Sequence, residues 1–110
     1  MTDAADLGNS NAMTKLGRLA EGAGDLELAK SWYQKSADLG NSNAMTKLGQ
    51  LAYDAGDLEL AKSWFQKSAD LGNSHALFGL GVLAVEAGDL ELAKSWYQKS
   101  ADLGNSIGMG

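Results

Sequence analysis

Cysteine and proline are both missing from this chain, and histidine occurs once, at His75. Without cysteine there is no disulfide framework, no thiolate nucleophile and no Cys-based metal cage. A lone histidine leaves a metal site short of ligands, and as a general base His75 has no evident nucleophile to serve. Without proline, every break in the chain must be made by Gly, Asn, Asp or Ser, and Gly is abundant at 14 residues. An excess of positive charge is missing too: the net charge is −5, and the lysines are interleaved with Asp and Glu. Nucleic-acid binding needs concentrated positive charge, so the composition points away from that partner. No apolar run approaches the ~20 residues that span a bilayer. The start, "MTDAADLG", has neither the basic head nor the apolar stretch of a signal peptide. No membrane partner is expected, and a cytoplasmic location is.

What fills the chain instead is repetition. "GDLELAKSWYQKSADLGNS" at 24–42 returns unchanged at 88–106, and at 56–74 with Phe65 in place of Tyr33. Trp32, Trp64 and Trp96 stand 32 residues apart, as do Gly17, Gly49 and Gly81. A fixed period of this size is the signature of a stacked array. The units are 10–41, 42–73 and 74–105, with a partial helix remnant at 1–9 and an incomplete fourth unit at 106–110.

Each unit reads as two helices. In "SNAMTKLGQLAYDAG", Ala44, Met45, Leu48, Gly49, Leu51 and Ala52 recur in steps of three and four, the spacing of an amphipathic helix. Ser42 is placed as its N-cap, and Ala55-Gly56 ends it. Asp57 caps the second helix, whose apolar face carries Leu58, Ala61, Phe65 and Ser68, and Gly72 is a left-handed stop. Gly49 lies mid-helix, where Gly costs about 1 kcal/mol relative to Ala. That cost implies a close approach of the partner helix, expected opposite Ala61. The fold class is therefore all-α: a solenoid of three helix–turn–helix repeats in one domain.

These residues resemble the tetratricopeptide class of repeats, and within it the Sel-one-like branch. The likeness rests on Leu48-Gly49, the turn Gly56, Ala61, and "WFQKSADLG" at 64–72 with its counterparts at 32–40 and 96–104. Ala44 and Ala76 supply the Ala that precedes the next "LG". The chain departs from the branch in having Ala20, Ala52 and Ala84 where an aromatic is usual, and in its short inter-helix turn. The resemblance implies a right-handed superhelix whose concave side, lined by first helices, binds peptides or proteins; the residues themselves point to no enzymatic activity and no cofactor.

The copies differ where such a site would lie. Units one and two differ at Arg18/Gln50, Glu21/Tyr53, Gly22/Asp54 and Tyr33/Phe65. Units two and three differ in the first helix at Asn43/His75, Met45/Leu77, Thr46/Phe78, Lys47/Gly79, Gln50/Val82, Tyr53/Val85 and Asp54/Glu86. The second helices read as common framework. Along one face, Thr14, Arg18 and Glu21 give way to Thr46, Gln50 and Tyr53, then to Phe78, Val82 and Val85, so the surface grades from polar to apolar. Arg18, Thr46, Gln50, Tyr53, His75, Phe78, Val82 and Val85 are the candidate peptide-contacting residues.

A second reading makes Phe78, Val82 and Val85 a contact surface at the end of the array. With only "NSIGMG" after Leu103-Gly104 the last helix lacks a cap, and Trp96 and Tyr97 become candidates for homo-oligomeric contact. On this reading the chain is a structural or consensus-type array without a natural ligand. Catalytic alternatives are thin. Asp25, Asp57 and Asp89, with Glu27, Glu59 and Glu91, recur with the structural period and suit helix starts rather than acid–base pairs. The resemblance also brings in the tetratricopeptide domains that grip a peptide's terminal carboxylate with basic and Asn residues of the first helices. Lys15, Lys47, Asn11, Asn43 and Arg18 hint at that arrangement, but His75, Gly79 and Val82 in unit three do not match it.

Overall fold

The computed structural model describes the backbone of residues 4–109 and the side chains of 8–104. Of the two terminal segments, residues 1–3 and Gly110 lie outside the described residues. The described chain forms α1 (Ala4–Gly22), α2 (Leu26–Asp38), α3 (Ser42–Asp54), α4 (Leu58–Asp70), α5 (Ser74–Glu86) and α6 (Leu90–Met109). No strand occurs among the described residues.

All five inter-helix turns use one device. Gly24, Gly40, Gly56, Gly72 and Gly88 take positive φ, between +81° and +91°. That conformation closes a Schellman turn, in which the residue after Gly donates its N–H back to the end of the finished helix. Asn41 donates to the Ser36 carbonyl at 3.2 Å, and Asp57 to the Ala52 carbonyl at 2.9 Å. The same residue caps the next helix. The Asp57 carboxylate accepts from the Leu60 N–H at 3.1 Å, as Asp25 and Asp89 do from Leu28 and Leu92. Asn41 and Asn73 accept from the N–H groups of Ala44 and Ala76. The N-cap of α3 is thus Asn41, not Ser42, and that of α5 is Asn73, because the turn places Asn at the non-helical junction and leaves Ser as the first helical residue.

With turns this short, consecutive helices must pack as neighbours. α1 lies on α2, α3 on α4 and α5 on α6, and the hairpins join through α2–α3 and α4–α5. α3 also touches α5 directly, so the first helices share one side of the row. One core cluster joins Ala20, Ala29, Tyr33, Ala37, Ala44 and Leu48; a second joins Ala52, Ala61, Phe65, Ala76 and Leu80. Trp64 and Trp96 cover these clusters from outside, half-buried, with the Nζ of Lys67 and Lys99 4.9 Å from their ring centres.

Gly49 does make a close approach, but to Phe65 rather than Ala61. A Cβ on Gly49 would meet the Phe65 ring at 2.7 Å, and Gly17 and Gly81 face Tyr33 and Tyr97 in the same way. Beside each ring a polar tie closes the hairpin. The Ser36 hydroxyl donates to the Ser10 carbonyl at 2.7 Å and lies 2.7 Å from the Thr14 hydroxyl. Ser68 repeats this with Ser42 and Thr46. Such buried hydroxyls are tolerated because each finds partners.

The ends depart from the expected unit boundaries. "ADLGNS" forms a turn at 37–42 and 69–74, yet the same six residues are helical at 5–10 and at 101–106. Gly104 is not among the positive-φ glycines, and α6 runs on to Met109 instead of stopping for a fourth unit. At the other end, 4–9 is helical and runs directly into the rest of α1. A left-handed Gly and a chain reversal cost conformational freedom, and only packing of a following helix offsets that cost. At 40 and 72 the following helix packs against the one before it; at 104 the described chain makes no reversal, and the helix continues.

Candidate peptide-binding groove

The first-helix side of the row holds a pocket of about 170 Å³ where α3, α4 and α5 meet. α3 supplies Gln50, Tyr53 and Asp54, α4 supplies Phe65, and α5 supplies His75, Phe78, Gly79 and Val82. Two exchanges between copies open it. Gly79 stands where the earlier units have Lys15 and Lys47, and a Cβ there would lie 2.9 Å from the Phe65 ring. The bare glycine lets the ring reach across from α4 and floor the pocket. Phe65 itself stands where Tyr33 and Tyr97 stand, and it brings no hydroxyl into the apolar base.

The rim is polar on one side and aromatic on the other. Tyr53 donates its hydroxyl to a carboxylate oxygen of Glu86, bridging α3 to α5 at the mouth. That hydrogen bond, ahead of desolvation and the nearby Asp54 charge, holds the Tyr53 phenol in its neutral form by raising its pKa above 10.0. Phe78 is 56% exposed and leans against Tyr97 with ring centres 5.3 Å apart. Phe78 thus leaves a large aromatic ring exposed beside the apolar cavity. The remaining chemistry is modest: one imidazole, one phenol, one amide and one carboxylate around an apolar floor can orient a ligand.

Of the residues expected to touch a peptide, Gln50, Tyr53, His75, Phe78 and Val82 come together in this pocket. Thr46 does not join them. It is buried inside the α3–α4 hairpin with its hydroxyl 2.7 Å from that of Ser68. Val85 lies on the outer side of the last hairpin with Leu90 and Tyr97. Arg18 is exposed on α1, near Tyr33 and away from the pocket. Trp96 packs back towards α4 and α5 rather than outward, whereas Tyr97 borders the outer groove. Phe65, Gly79 and Asp54 were not among the expected groove residues; the paired exchanges Tyr33/Phe65 and Lys47/Gly79 were their signal.

A row of helix hairpins joined by Gly turns, each with a small residue under an aromatic ring, is matched by the family model described as tetratricopeptide repeat, over residues 14–75 and 46–106. The chain belongs to the tetratricopeptide repeat family. Comparison with curated proteins gives no significant match. Tetratricopeptide repeats commonly mediate protein–protein interactions and are generally non-enzymatic scaffolds. Among the described residues, no three His, Cys, Asp or Glu side chains gather to hold a metal ion, and no helix is long and apolar enough to cross a membrane.

Proposed function

We propose that this tetratricopeptide protein is an interaction scaffold: a right-handed solenoid whose concave side, lined by α1, α3 and α5, binds a peptide or protein segment. The pocket between α3 and α5 carries this reading, because a half-open hollow with an apolar floor and an exposed aromatic at its mouth suits one large apolar side chain. Burying such a side chain is worth about 1.5–3 kcal/mol, enough to anchor a segment held otherwise by polar contacts. Asp54, among the residues that line the pocket, favours a basic residue beside the anchor. Within the family the Sel-one-like branch remains the nearest in our reading, on the "WFQKSADLG" segment and the Ala that follows it.

The test is selection of a displayed peptide library on the full chain, followed by amide-shift mapping. Selected peptides are expected to share one large apolar residue next to Lys or Arg, and to shift Gln50, Tyr53, His75 and Val82. Val82→Asp should abolish their binding and leave the melting temperature within a few degrees. Shifts confined to the Trp32, Trp64 and Trp96 side, or binding untouched by Val82→Asp, would remove the pocket from this role.

A further inference from the structure

α6 presents an open face that an inner helix of the same sequence keeps covered. Residues 24–42 and 88–106 are identical, so the whole of α2 is repeated in α6 over 90–102. α2 packs against α3, and the start of α3, "SNAMTKLG" at 42–49, is identical to residues 10–17 of α1. The molecule therefore carries, on its last helix, the surface that α2 offers to α3. On its first helix it carries the surface that α3 offers in return.

Among the described residues, both surfaces are more exposed than their inner counterparts. In α3, Ala44 is 0% and Leu48 3% exposed, whereas Ala12 is exposed on α1 and Leu16 is 41% exposed. In α2, Tyr33 is fully buried and Ala37 nearly so, whereas Tyr97 is half-exposed and Ala101 exposed on α6. Leu90, Ala93, Tyr97 and Ala101 line an open apolar groove on that outer side.

We propose that copies of this chain stack head to tail, α1 of one copy docking in the α6 groove of the next and repeating the α2–α3 contact. The occupant is specified by the chain itself, since the residues required of it are those of α1. The helix ends permit the junction. Between α2 and α3 the chain must reverse at Gly40, but between two copies no link is needed. α6 continues to Met109 and α1 begins at Ala4, so the two run on side by side. The two faces differ, so the contact is not closed by a two-fold axis and can pass from copy to copy beyond a dimer. Association loses translational and rotational freedom that the covalent junction keeps, which places stacking at high protein concentration.

Sedimentation velocity on the full chain, at an ionic strength that screens its net charge, tests this. The weight-average mass should climb from 11.5 kDa with concentration and pass the value for two copies without a plateau. Leu16→Arg and Ala101→Arg, both at sites exposed in the single copy, should each hold the chain at the monomer mass with unchanged helix content. An equimolar mixture of the two variants retains one intact face on each partner, so it should form a dimer and nothing larger. The proposal is overturned by a wild-type chain that stays monomeric to its solubility limit, by a plateau at two copies, by variants that still assemble, or by a mixture that stays monomeric. A monomeric wild-type chain would assign the α6 groove to a different helix.

Discussion

Gly49 faces Phe65 so closely that a Cβ on it would stand 2.7 Å from the ring carbons. The contact sets the distance between α3 and α4, and its counterparts Gly17–Tyr33 and Gly81–Tyr97 set it in the other hairpins. In an ordinary exposed helix Gly→Ala gains about 1 kcal/mol. Here it should cost about 1–3 kcal/mol, because the ring is held between helices and has no free direction in which to move. Gly22→Ala is the control. It ends α1 with nothing within 4 Å of the added atom, and it should gain up to about 1 kcal/mol. Urea unfolding of both variants checks the opposite signs; a Gly49→Ala chain as stable as the parent would mean the hairpin can open.

The polar ties predict a difference between hairpins. Ser36 bonds both the Ser10 carbonyl and the Thr14 hydroxyl, while Ser100 is seen with the Ser74 carbonyl alone, since Phe78 replaces the threonine. Ser36→Ala therefore strips buried partners and should cost about 1–3 kcal/mol. Ser100→Ala, on a partly exposed site, should cost less than about 1 kcal/mol. Equal midpoint shifts in denaturant would show that the Thr14–Ser36 contact contributes nothing.

How much of this was legible in the sequence depended on whether the cause was local. Asp57 as a cap and Gly56 and Gly72 as stops follow from short-range backbone chemistry, and they lie where the pattern places them. Asn41 and Ser42 are adjacent and both are good caps, so only the Schellman geometry decides between them. Thr46 shares a stripe with Gln50 and Tyr53, but the stripe runs obliquely and its first member turns into the hairpin. The Phe65–Gly79 pair joins two repeats and three helices' worth of packing, which no single amphipathic pattern encodes.

Tyr33 predicts an alkaline limit. Burial first, and its 2.6 Å hydrogen bond to Glu21 second, push its phenol well above the ordinary value of 10.0. A raised folded-state pKa means that the stability contributed by the neutral phenol is complete below pH 10 and is lost as pH climbs beyond it. The melting temperature of the parent should therefore fall more steeply above pH 10 than that of Tyr33→Phe, which has no proton to lose. Parallel slopes would show that the phenol ionises as readily in the folded chain as in the unfolded one.

Gly72 and Gly104 sit in the same hexapeptide and take opposite roles, one at φ +88° in a turn and one inside α6. Substitution reads the difference directly. At Gly72 an alanine must adopt a left-handed backbone and should cost about 1–2 kcal/mol. At Gly104 nothing lies within 4 Å and the backbone is helical, so alanine should gain up to about 1 kcal/mol and raise helix content. Circular dichroism with thermal melts measures both. A Gly104→Ala chain that loses stability as Gly72→Ala does would place a turn at 104, and with it a chain reversal that α6 does not make.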